Sequence, residues 1–199
     1  MSTAPDTNGG SDGRPSNVLL LTPSVGGRED AVCEELLHAT GSPRTHALIV
    51  TCLESPAERL ATWTDRGEDP ARTTVVDVDT RTRSAAAAAG ADGPVLPTAT
   101  VESLRDPTDL VELGETVDRH LDTDEWTTSL CVHSVSDLLG ATDRESVFKF
   151  LEVLTSSVSR AGAVAHYHFD PNVHDPETVA TIEVLFDTVV GLRRDTNGH

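Results

Sequence analysis

Lysine is almost missing from this chain: of its 15 basic residues only Lys149 is a lysine, and the rest are arginines. Against 33 acidic residues this leaves a formal net charge of −18. So few cations exclude nucleic-acid binding through a basic surface, because neutralising phosphates needs Lys and Arg. Docking on an anionic membrane is excluded for the same reason. Long apolar runs are lacking too, and none approaches the roughly 20 residues that span a bilayer. Residues 1–16 are polar and without the apolar stretch of a signal peptide, so they read as a disordered leader. A cytoplasmic location is expected.

Aromatics make up only 4% of the chain and methionine occurs once, while Ala, Thr and Val are abundant. With acid spread along the whole length, this is the composition expected of a protein from a salt-loaded cytoplasm. Self-repulsion on this scale destabilises a compact domain in dilute buffer. At molar salt the Debye length falls to about 3 Å and the repulsion is largely screened. The three cysteines, Cys33, Cys52 and Cys131, form no C-x-x-C pair. Their number and spacing fit neither a disulfide framework nor a zinc ribbon. Each lies in an apolar stretch, where a free thiol packs as a small hydrophobe.

What is present is an alternation of short apolar runs and helical periods. Val18–Leu21, Ala47–Val50, Thr74–Val78, Thr98–Val101, Ser129–His133, Ala163–Phe169 and Thr188–Leu192 read as strands. Continuous runs such as Val18-Leu19-Leu20-Leu21 are those of strands buried on both faces. Helical spacing follows from Arg28 to Gly41, near Pro56–Trp63, across Asp106–Leu121, from Asp143 to Arg160 and over Pro176–Phe186. Residues 81–97 are low in complexity and read as a mobile connection. The expected fold is therefore α/β, three-layered, with a mostly parallel central sheet. One domain spans 17–194, with 195–199 as a tail.

In such a sheet a ligand sits beyond the carboxyl ends of the strands. The first strand turns into the first helix through Thr22, Pro23, Ser24, Val25, Gly26, Gly27, Arg28 and Glu29. Against the phosphate-loop pattern G-x-x-x-x-G-K-S/T, only the second glycine, Gly27, is in place. Thr22 replaces the first glycine, Arg28 stands where lysine would reach the phosphates, and Glu29 puts a carboxylate where a hydroxyl would hold magnesium. The strand that should end in a magnesium-holding acid is Ser129–His133, and His133 occupies the acid's position. Asp137 follows four residues on, at the start of the next turn. A flavin or nicotinamide site lacks G-x-G-x-x-G after the first strand, and Ser134 or Ser136 lacks the G-x-S-x-G elbow of a hydrolase.

The turn LLLTPSVGGREDAV, the segment LCVHSVSDLL with VFKFLEVLTSSVSRAG, and the closing AVAHYHFDPNVHDPETVATIEVLFDTVVGL together resemble the RecA-superfamily, KaiC-like proteins of extreme halophiles. The likeness covers roughly residues 17–193 and is to their short single-domain members with degenerate Walker motifs. It implies a RecA-like P-loop NTPase fold, with ATP as the cofactor at Thr22–Glu29 and His133. It also implies self-association or a protein partner. The altered letters point to a non-catalytic or weakly nucleotide-binding regulatory or interaction protein. The alternative is an ATP-binding switch or slow ATPase using loop 22–29.

His133, His166 and His168 are a second candidate group. His166 and His168 are two apart on one strand, hence on one face. With Asp170, His174 and Asp175 they form H-x-H-x-D-x-x-x-H-D, a run of metal-ligand types. The competing reading is that Asp170-Pro171 and Asp175-Pro176 are turn and helix-start signals and that His174 or Asp175 caps a helix. No metal is assigned on sequence alone.

Overall fold

The structure is a computed structural model that describes residues 14–22, 29–38, 42, 44–52, 54–57, 59–60, 72–78, 99–104, 106, 108–123 and 125–191. Seven strands form one sheet: β1 (Asn17–Leu21), β2 (Thr45–Thr51), β3 (Arg72–Val78), β4 (Ala99–Leu104), β5 (Thr127–His133), β6 (Val164–Phe169) and β7 (Thr188–Gly191). Their order is β4-β3-β2-β5-β6-β1-β7, and every pairing is parallel. Five α-helices are described: α1 (Glu29–His38), α2 (Leu110–Leu121), α3 (Val135–Ala141), α4 (Arg144–Arg160) and α5 (Pro176–Glu183). A helical turn also holds Arg59 and Leu60, with the Arg59 N–H donating to the Ser55 carbonyl at 3.0 Å. Among the described residues no helix is long and apolar enough to cross a membrane.

The expected α/β architecture is present, and the sheet is parallel throughout rather than mostly so. Pro23–Arg28, residues 61–63 of the expected second helix, the connection 81–97 and the two ends of the chain (1–13 and 192–199) lie outside the described residues. Helix α3 was not anticipated, because the seven residues VSDLLGA are too few to show a period. The expected helix over 106–121 begins only at Leu110. Asp109 caps it, accepting from the N–H groups of Val111 and Glu112.

Alternation along the strands divides the apolar side chains between two faces. Leu19, Leu48, Val76, Leu130 and Tyr167 join Leu113, Leu138, Leu151 and Ile182 in a large core under α2, α3, α4 and α5. Ala47, Ile49, Val75 and Cys131 face the other way and meet Cys33 and Leu37 of α1 together with Leu60. Helix α4 ends where its sequence says it should. Gly162, with φ 65°, takes the left-handed position after the last turn. The Ala163 N–H then reaches back to the Val158 carbonyl at 3.1 Å.

Strand order also sets where a ligand would go. From β2 the chain moves outward to β3, and from β5 it moves the opposite way to β6. The carboxyl ends of these two adjacent strands therefore flank a topological switch point, the place where open parallel sheets form a crevice.

Candidate functional site

Parallel register carries one polar row across the carboxyl edge. Thr51 is level with Asp77 of β3 and with His133 of β5. His168 continues the row on β6, level with Leu20 of β1. All four polar side chains lie on the α1 face, because each is two residues on from a side chain of that face. One step back in the same direction Cys131 is level with His166. The carboxyl edge thus carries a polar patch on the α1 face.

His133 is the pivot of the row. Its Nδ1 lies 3.5 Å from Glu54 Oε2, and its Nε2 lies 3.4 Å from Arg59 Nη1. A neutral ring protonated on Nδ1 accepts from the Arg59 guanidinium at Nε2 and turns its N–H toward the Glu54 carboxylate. Burial, and then the Arg59 charge, push its pKa down to about 3, so the ring is neutral at ordinary pH. Arg59 also approaches Glu54 at 3.7 Å, and its Nη2 donates to Cys33 Sγ at 3.2 Å. This arginine is only 1% exposed, and Glu54, His133 and Cys33 are among its partners.

Behind this row lies a second group. Cys33 of α1, Cys131 of β5, and His166 and His168 of β6 place one ligand atom each within 4.8 Å of one another. Cys33 Sγ is 3.4 Å from Cys131 Sγ and 3.0 Å from His166 Nε2. All four side chains are buried. Burial alone would raise the Cys33 thiol. The hydrogen bond from Cys131, together with the charge and hydrogen bond of His166, outweighs that and holds it well below the usual thiol range. Cys131 moves the other way, raised by burial and by the sulfur it faces. His133 packs against His168 with ring centres 4.7 Å apart and planes tilted by 54°, which joins the two groups.

The residues expected from sequence fall out as follows. Thr22 is buried at the end of β1, its N–H donating to the Phe169 carbonyl at 2.9 Å. Pro23, Ser24, Val25, Gly26, Gly27 and Arg28 lie outside the described residues, and Glu29 is described only as the first residue of α1. His133 stands at the carboxyl end of β5, its ring 4.7 Å from that of His168 on the neighbouring strand. Asp137 sits in the first turn of α3, its N–H capped by Ser134 Oγ, and burial raises its carboxyl. Asp175 caps α5, with Oδ1 accepting from the Thr178 N–H at 2.9 Å, while His174 stacks on Phe169. The histidine group is revised by geometry: the atoms that converge belong to His166 and His168 with Cys33 and Cys131, and His133 stands one ring away. Cys33 and Cys131, read as packing residues, are 98 positions apart, and no local spacing could have paired them.

The fold and site define an α/β protein with a wholly parallel sheet, whose carboxyl edge carries a neutral histidine over a buried thiol–imidazole cluster. Residues 15–192 match the family described as "Family of unknown function (DUF7504)", and the chain belongs to it. No curated protein matches it.

Proposed function

We propose that this chain is a RecA/KaiC-like regulatory or interaction protein of a halophile cytoplasm, one that keeps the frame of a nucleotide-binding fold without its hydrolytic chemistry. The observation that carries the reading is His133. Magnesium in a phosphate-loop site is held through an acid at this strand end. Here the position holds a neutral imidazole, anchored between Glu54 and Arg59. Two further features support it. Arg59 is buried, and its guanidinium donates to Cys33 and His133. Three buried free thiols fit a reducing compartment. A protein partner or a second copy of the chain would then carry the function.

Titration with ATP and ADP in molar KCl, with and without magnesium, tests the reading, with phosphate release followed in parallel. No magnesium-dependent binding and no turnover are expected. Saturable binding that needs magnesium, accompanied by phosphate release, overturns it. Saturable binding indifferent to magnesium makes the chain a nucleotide switch instead, since backbone N–H groups at a helix N-terminus hold phosphate without a metal.

A further inference from the structure

We infer that Cys33, Cys131, His166 and His168 form a closed structural site for zinc or a similarly soft divalent ion. This goes beyond the functional reading above and stands whether or not nucleotide binds.

Two thiolates and two imidazoles are the ligand set of a tetrahedral structural zinc centre. In such a centre, metal–sulfur bonds of about 2.3 Å and metal–nitrogen bonds of about 2.0–2.1 Å put neighbouring ligand atoms roughly 3.4–3.8 Å apart. Here the two sulfurs are 3.4 Å apart, Cys33 Sγ and His166 Nε2 are 3.0 Å apart, and the whole set stays within 4.8 Å. Changes of up to about 1 Å in these separations complete the tetrahedron. The sulfurs are well beyond a disulfide length of about 2.05 Å, and both thiols are free.

His168 supplies an independent observation. Its side chain is only 3% exposed, yet neither ring nitrogen has a hydrogen-bond partner. An unsatisfied buried imidazole is costly unless something else takes its lone pair, and a metal ion bound on the side of Cys33 and Cys131 would do so. Charge also balances. Two thiolates neutralise a divalent ion, so the buried centre carries no net charge, and Arg59 keeps Glu54 as its counter-charge. The Arg59 hydrogen bond to Cys33 Sγ is the kind of outer contact that orients a metal ligand.

The location gives such an ion a purpose. It would join α1 to β5 and β6 on the sheet face that α1 covers, tying together segments distant in sequence as a structural metal does. With four protein ligands and no open position the site is structural rather than catalytic.

The test uses the full chain, expressed without a histidine tag and purified under reductant without chelator. Zinc content is measured first, and chelator-stripped protein is then titrated with cobalt(II). One equivalent per chain is expected, with the strong visible bands of tetrahedral cobalt and thiolate-to-cobalt charge transfer. Cys131→Ser should diminish the charge transfer and weaken cobalt binding by roughly tenfold or more, because even outer-shell changes cost that much. His168→Gln should weaken binding comparably while retaining both thiolate contributions, and it decides the matter if Cys131→Ser does not fold. Cys52→Ser, in the core on the opposite face, should change neither spectrum nor affinity. Folded, stripped protein that shows no tetrahedral cobalt spectrum overturns the inference. So does binding indifferent to both Cys131→Ser and His168→Gln, or a Cys33–Cys131 disulfide formed under reductant.

Discussion

Acidification should unfold this protein partly through one histidine far from the carboxyl edge. His46 of β2 is fully buried, its Nε2 bonded to Thr74 Oγ1 at 2.9 Å and its Nδ1 without a partner. Desolvation, and then the charges of Arg72 and His120, lower its pKa from 6.5 to about 4. A histidine with a depressed pKa is neutral in the folded state, while the unfolded chain takes up a proton below pH 6.5. The stability it contributes is therefore present above pH 6.5 and lost as the pH falls toward 4. At about 1.4 kcal/mol per unit the full shift is worth on the order of 3 kcal/mol, of which roughly two-thirds is expressed between pH 7 and pH 4.5. Denaturant unfolding of wild type and His46→Gln at these two pH values isolates the contribution, since glutamine can keep a hydrogen bond to Thr74 without titrating. Wild type should lose roughly 2 kcal/mol more than the variant on acidification. Equal losses within about 0.5 kcal/mol, the usual error of such comparisons, would refute the reasoning. An NMR titration midpoint for His46 near 6.5 would do the same.

Other outcomes follow from the core and the charge. Leu151→Ala, at a fully buried position on α4, should cost about 2–5 kcal/mol in denaturant unfolding, and a loss below about 1 kcal/mol would mean the site collapses onto the gap. Tyr167→Phe leaves Asn17 Oδ1 without the hydroxyl that donates to it at 2.9 Å, so about 1–3 kcal/mol should be lost although almost no volume changes. With a net charge of −18, the unfolding midpoint should rise steadily as KCl goes from dilute to molar. A midpoint indifferent to salt would remove the case for a halophilic protein.

Much of the fold was legible because its signals are local. Val18–Leu21 and Ala47–Val50 are unbroken apolar runs, and strands covered on both faces must read that way. The period of α4 is written in Val147, Leu151, Leu154 and Val158, all buried in one core. Asp175-Pro176 announces the start of α5, and Asp175 does cap it. Helix α3 was missed because a two-turn helix shows no period and the Ser134 cap looks like any loop serine. The start of α2 slipped to Leu110 because Asp106 and Asp109 are equally good caps by residue type.

The histidine pattern shows where local information stops. The i, i+2 spacing of His166 and His168 was enough to place both on one face. That this face is covered by α1, and that β5 lies alongside β6 with Cys131 level with His166, follows only from strand order and register. Cys33 reaches the same point through a helix whose position depends on packing across two strands distant in sequence. The residues themselves determined the charge, the strands and the main helices. Tertiary structure alone decided which thiols meet which imidazoles, because periodicity specifies the face a side chain turns to but not what that face will meet.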